Sequence, residues 1–176
     1  MIGFLRKKYR NFKKKNRFFW SVNWIKTYYF NYKKFPYAIA KKLPVFFYGS
    51  VKLSSIKGEI KIEAPIKKAM IGFGQKYELV SQSKRTAQLV LDGTIVCKGH
   101  VQFGIDYFVY VAKDAYCEFG HLSSMASNGK IICKEKIVLG KYARIGSEAQ
   151  LIDTNFHTMF NTETGEKHPM NAPIEL

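Results

Sequence analysis

The sequence predicts an all-β chain behind a short helical preface, and three observations carry that prediction. Apolar residues recur every six positions over much of residues 56–152, a period that belongs neither to an α-helix nor to a simple strand. Two successive six-residue units, "LGKYAR" and "IGSEAQ" (139–150), share one pattern: aliphatic, Gly, two variable residues, Ala, variable. The first 50 residues, in contrast, are basic, rich in aromatic rings and free of Asp and Glu.

The preface comes first in the chain. Residues 1–50 hold 13 of the 29 Lys and Arg, so the net charge of +16 is concentrated there, and the other 126 residues set 16 basic groups against 13 acidic ones. That asymmetry points to an anionic partner, a membrane surface or a nucleic acid. Residues 4–17, "FLRKKYRNFKKKNR", interleave eight basic residues with aromatics and an aliphatic. Trp20, Trp24, Tyr28 and Tyr32 then fall four apart, one above another on a helix. Such a stripe suits peripheral membrane contact over residues 4–34, or a cap on the domain that follows. Pro36 and Pro44 punctuate the chain, and "PVFFYG" reads as a short buried strand. The apolar run "RFFWSVNWIK" is too short to cross a bilayer and is flanked by basic residues. Cys97, Cys117 and Cys133, an odd number without CxxC spacing, read as free thiols in a reducing compartment. A cytoplasmic location, with peripheral contact at the inner face of the membrane, is expected.

The chain divides into 1–50 and 51–176 on this reading. In the second segment Ile60 and Ile66 open the hexads, with Ala64 and Met70 at the fifth place. Ile105, Val111 and Cys117 follow, each with Val109, Ala115 or His121 four residues on. Cys133, Leu139, Ile145 and Leu151 form the longest set, paired with Ile137, Ala143, Ala149 and Asn155. Six residues suit one flat side of a triangular coil: the aliphatic fills the interior, the small residue faces in where space is tight, and Gly eases the turn. Coils stack at the usual strand separation of about 4.8 Å, so a hexapeptide period predicts a parallel β-helix. Two segments read as excursions from the wall, "SSMASNGK" (123–130) and residues 153–173, and 75–88 reads as a loop or edge.

The stretch "IVLGKYARIGSEAQLIDTNFH" resembles the hexapeptide-repeat acyltransferases, whose fold is a left-handed parallel β-helix, and within them the colanic-acid and capsular-polysaccharide O-acetyltransferases. "YFNYKKFPYAIAKKLPVFFYGSVKL" is similar to the lead-in of such proteins. The resemblance implies acetyl transfer from acetyl-CoA to a sugar hydroxyl in bacterial surface polysaccharide biosynthesis, on a free or lipid-linked saccharide. It makes His157 the catalytic base. A sugar hydroxyl must lose its proton as it attacks a thioester, and an imidazole, with a reference value near 6.5, is the side chain suited to take it. Asp153, four residues earlier, is placed to orient that imidazole or bind the acceptor, or else to form an Asx turn. The resemblance also implies a homotrimer with sites between subunits, and further hexads after the Asp-to-His segment, so that the wall is expected to be incomplete at its C-terminus.

The remaining candidates are weaker. His121 takes an in-facing hexad place and reads as structural, His100 belongs to an expected strand, and His168 lies in the loop where substrate would pass. The spacing of Asp153, His157 and His168 matches no standard ligand set, so no metal is expected. Cys117 and Cys133 fall on the aliphatic register, as small core residues rather than nucleophiles. The competing class is a non-catalytic β-helix scaffold that binds membrane or nucleic acid through its basic preface. Nucleic acid is disfavoured because no recognition motif accompanies the charge, and no nucleophile elbow or carboxylate pair suggests a hydrolase.

Overall fold

A computed structural model describes residues 6, 8–12, 16–76 and 85–176. Much of the expected 75–88 loop, and part of the basic run 4–17, lie outside the described residues. Strands come in threes. The first turn is β1 (Val45–Phe47), β2 (Val51–Ile56) and β3 (Glu59–Ile62), and the second is β4 (Ile71–Phe73), β5 (Ala87–Leu91) and β6 (Thr94–Cys97). The third is β7 (Val101–Phe103), β8 (Phe108–Val111) and β9 (Tyr116–Phe119). The fourth is β10 (Ser123–Met125), β11 (Lys130–Cys133) and β12 (Lys136–Leu139). The last comprises β13 (Arg144–Ile145) and β14 (Gln150–Ile152), the short pair β15 (Met159–Phe160) and β16 (Lys167–His168), and β17 (Ile174–Glu175). Apart from β15 and β16, each strand pairs in parallel with its counterpart one turn on, which yields three five-stranded parallel sheets. The chain is thus mostly β with few helices, compatible with a parallel β-helix.

Alternation along each strand explains what lies inside. Leu89, Val109 and Ile131 stack in register in one sheet, and Ile95, Cys117 and Ile137 in another, all at most 1 % exposed. In the third sheet Phe47, Phe73 and Phe103 share a register, and the Phe73 and Phe103 rings stack 4.4 Å apart. The expected excursion at 123–130 is instead regular wall. Ser123 and Ser127 take in-facing places usually filled by apolar residues, and the Ser127 hydroxyl accepts the Ile105 N–H at 3.2 Å. His121 is not in the interior: it is half-buried in the turn after β9, where its Nδ1 accepts the His100 N–H, and His100 itself precedes β7 rather than lying in it.

Glycine has a different reason from the one expected. The turns place Leu122 and Tyr142 at φ of +58° and +65°, so non-glycine residues carry the left-handed conformation. Gly120 and Gly140, two residues earlier in each turn, are where adjacent turns approach. A Cβ on Gly120 would lie 2.4 Å from the Gly140 carbonyl carbon, and one on Gly140 2.9 Å from the Leu176 oxygen.

The preface packs on the open edge of β1. After α1 (Arg17–Ser21) comes α2 (Trp24–Lys34), whose N-cap Asn23 accepts the Lys26 N–H and whose last turn holds Lys33 and Lys34, favourable against the helix dipole. Pro36 stops it, and α3 (Tyr37–Ala40) follows. Thr27, Phe30 and Asn31 fall on one face of α2 and are fully buried. The Asn31 amide donates to the Val45 carbonyl at 2.6 Å and its oxygen accepts the Val45 N–H at 3.1 Å. The Thr27 hydroxyl accepts the Phe47 N–H, and the Phe47 carbonyl accepts the Asn23 N–H. The backbone groups that β1 would otherwise offer to another strand are therefore paired by the helix. Phe30 and Phe47 also belong to the apolar core that fills the turns, so segments 1–50 and 51–176 share one interior.

Candidate functional site

Between β14 and β17 the chain leaves the wall as an arm. At its root, Thr154 and Asn171 form an antiparallel bridge, the Asn155 N–H donates to the Met170 carbonyl, and the Ala172 N–H to that of Asp153. Further out β15 pairs antiparallel with β16, with Met159 opposite His168 and Phe160 opposite Lys167. A turn at 161–166 closes the arm: Asn161 Oδ1 accepts from the Glu163 and Thr164 N–H groups, and Gly165 supplies a φ of +70°. The two sides are unequal. Between the bridge and the β15–β16 pair, the outgoing side has residues 155–158 and the return only 169–170. The outgoing side therefore bulges, with Phe156 at φ +60° and its N–H held by the Thr154 hydroxyl.

His157 stands on that bulge. It is exposed, and among the described residues its imidazole has no hydrogen-bond partner. His168 is exposed across the arm, facing the position two residues beyond His157. Lys134 lies over the Phe156 ring at 5.5 Å, tying the bulge to the turn between β11 and β12. A shallow groove of about 220 Å³ at the root of the arm is lined by Ile152–Asn155 and Pro169–Ile174, and His157 is not part of its wall.

Asp153 is brought to the same loop but not to His157. It is 3 % exposed, and its carboxylate accepts three backbone N–H groups: Lys134 at 2.7 Å on Oδ1, then Glu135 at 2.8 Å and Lys136 at 2.9 Å on Oδ2. Its hydrogen bonds thus go to the turn of the preceding coil, and its effect on His157 is to fix the root of the arm. The Asx-turn reading had the residue type right and the partner wrong: the turn it holds lies a full coil earlier in the sequence.

Elsewhere His100, His121 and Tyr142 rise along one corner, with ring centroids 5.9 Å and 6.4 Å apart. Burial, then Lys67 and His121, hold His100 below the ordinary imidazole range. His100 also lines an open groove of about 410 Å³ with Gln102, Leu122, Ser124 and Arg144, on a different corner from His157. The three cysteines are buried; burial raises the Cys97 thiol, and contact with Cys133, then burial, raises Cys117. Among the described residues no cluster of three or more His, Cys, Asp or Glu is grouped to hold a metal, and no helix is long and apolar enough to cross a membrane. No protein-family model, no curated protein and no solved structure matches this chain.

Proposed function

We propose that this chain is an O-acetyltransferase of the hexapeptide-repeat type, wound as a left-handed parallel β-helix and using acetyl-CoA as donor. Its acceptor is a hydroxyl of a bacterial surface saccharide or of its lipid-linked precursor. The observation that carries the reading is His157: a free, outward imidazole on a bulge whose root is fixed by a buried carboxylate, on an otherwise repetitive wall. In the proposed step the acceptor oxygen attacks the thioester carbonyl carbon while the His157 imidazole takes the hydroxyl proton. The C–S bond then breaks, and the CoA sulfur leaves with that proton. Asp153 is a positioning residue here. The reading keeps the homotrimer that the resemblance implies, with the substrate cleft between neighbouring subunits.

The test is acceptor-dependent thiol release from acetyl-CoA across a panel of saccharides, for the wild type and His157→Ala. Release that falls by about 10²–10⁴-fold in the variant is expected. Release that is unchanged in His157→Ala, or no release with any acceptor, overturns the reading and favours a scaffold without chemistry.

A further inference from the structure

Helix α2 has a buried face that holds Phe30 between two polar residues, and an apolar outer face. Thr27 and Asn31 are buried against β1, whereas the opposite face carries Ile25, Tyr28, Tyr29 and Tyr32. Ile25 is 82 % exposed and Tyr29 53 %, and the surface continues through Phe19 and Trp20 to Tyr37. The inner face already pairs its polar groups with the β1 edge, so packing among the described residues does not account for the apolar outer one. Lys33 is exposed on the same helix, Lys41 lies over the Tyr37 ring at 5.8 Å, exposed Lys42 follows it in the chain, Arg6, Lys8 and Arg10 lie upstream, and residues 1–50 contain no carboxylate side chain.

We propose that this outer face of α2 docks on the surface of an anionic lipid bilayer. Tyr and Trp rings sit at headgroup level with their polar tips in water, Ile25 enters the acyl boundary, and the lysines reach lipid phosphates. A single-stranded nucleic acid would instead need ring faces open for base stacking. Here part of the row is set ring against ring. Tyr28 stacks on Tyr32 at 6.3 Å and 25°, and Trp24 has Phe19 at 5.2 Å and Tyr28 at 5.9 Å. This docking stands apart from the acetyl-transfer reading and survives its failure.

Both tryptophans of the chain, Trp20 and Trp24, lie in this segment and report on it directly. The full chain is titrated with vesicles of phosphatidylcholine alone, with vesicles also containing phosphatidylserine, and with a single-stranded oligonucleotide. A blue-shifted emission, quenched by brominated lipid, with the phosphatidylserine vesicles and weakened by salt, is expected. The double variant Ile25→Asp/Tyr29→Asp weakens vesicle binding about tenfold or more, with an unchanged far-ultraviolet spectrum. A Lys33→Gln/Lys41→Gln/Lys42→Gln variant, whose changes touch no core residue, weakens it by a similar factor. Equal binding to both vesicle types, binding of the oligonucleotide alone, or binding unchanged in the lysine variant overturns the proposal.

Discussion

Asp153 and His157, four residues apart, differ in burial and in partners: the carboxylate is buried at the root of the arm and spent on three backbone N–H groups, and the imidazole is exposed to solvent. The two therefore answer to different measurements. Asp153→Ala leaves three donors of the 134–136 turn without their partner and lowers unfolding free energy by about 2–4 kcal/mol in urea titration. His157→Ala removes no packing and shifts stability by less than about 0.5 kcal/mol. An Asp153→Ala variant of wild-type stability would contradict the anchoring role.

The edge of β1 supplies a second prediction. Asn31→Leu keeps the volume but leaves both the N–H and the carbonyl of Val45 buried without a partner. Urea unfolding is expected to fall by about 2–4 kcal/mol, more than for Tyr29→Ser on the outer face of the same helix.

Gly120 and Gly146 look alike in the sequence and differ in space. A methyl group on Gly120 meets the backbone of the next turn at 2.4 Å, whereas one on Gly146 meets nothing within 4 Å. Gly120→Ala should lower stability by about 1–3 kcal/mol through overpacking, and Gly146→Ala should stay within about 0.5 kcal/mol of wild type. Thermal unfolding of the two variants side by side decides it.

Glu118 lies on the outer face of β9, where its carboxylate accepts from the Tyr116 hydroxyl and from Lys98 at 2.7 Å. Burial alone would raise it, but the bonds from Lys98 and Tyr116 prevail and hold it below the ordinary glutamate value of 4.5. The same hydrogen bond pushes the Tyr116 hydroxyl up to about 12. With a depressed folded-state value, the contribution of Glu118 is present above the unfolded carboxylate range and is lost as pH falls through the folded one. Glu118→Gln should cost about 1 kcal/mol at neutral pH, a modest figure because Lys98 is half exposed, and the difference should close below that range. A pH series of unfolding midpoints checks both the sign and the window.

The six-residue rhythm made the interior legible. Ile137, Leu139, Val109, Val111 and Cys133, all read as in-facing, are completely buried. It failed where polar residues take in-facing places, as Ser123 and Ser127 do, because small hydroxyls inside a wall carry no hydropathic signal. The arm at 153–173 was visible as a break in rhythm, but its bulge was not, since that depends on which residues pair across it. The pairing of Thr27 and Asn31 with β1 had a faint trace: two polar residues four apart, offset from the rings, in a helix otherwise aromatic and basic. Side-chain hydrogen bonds to a distant strand edge leave no periodicity to read.

The sealing of β1 by α2 bears on how the chain is made. The helix that covers the first edge precedes that edge in the sequence, so it leaves the ribosome before any rung exists. In the sheet that begins with β1, each later strand is added to the edge exposed by the one before it, and the growing sheet has one unpaired edge where an unsealed one would have two. For that sheet synthesis becomes a one-way assembly, in which the open edge left by each strand is the one its own chain covers next.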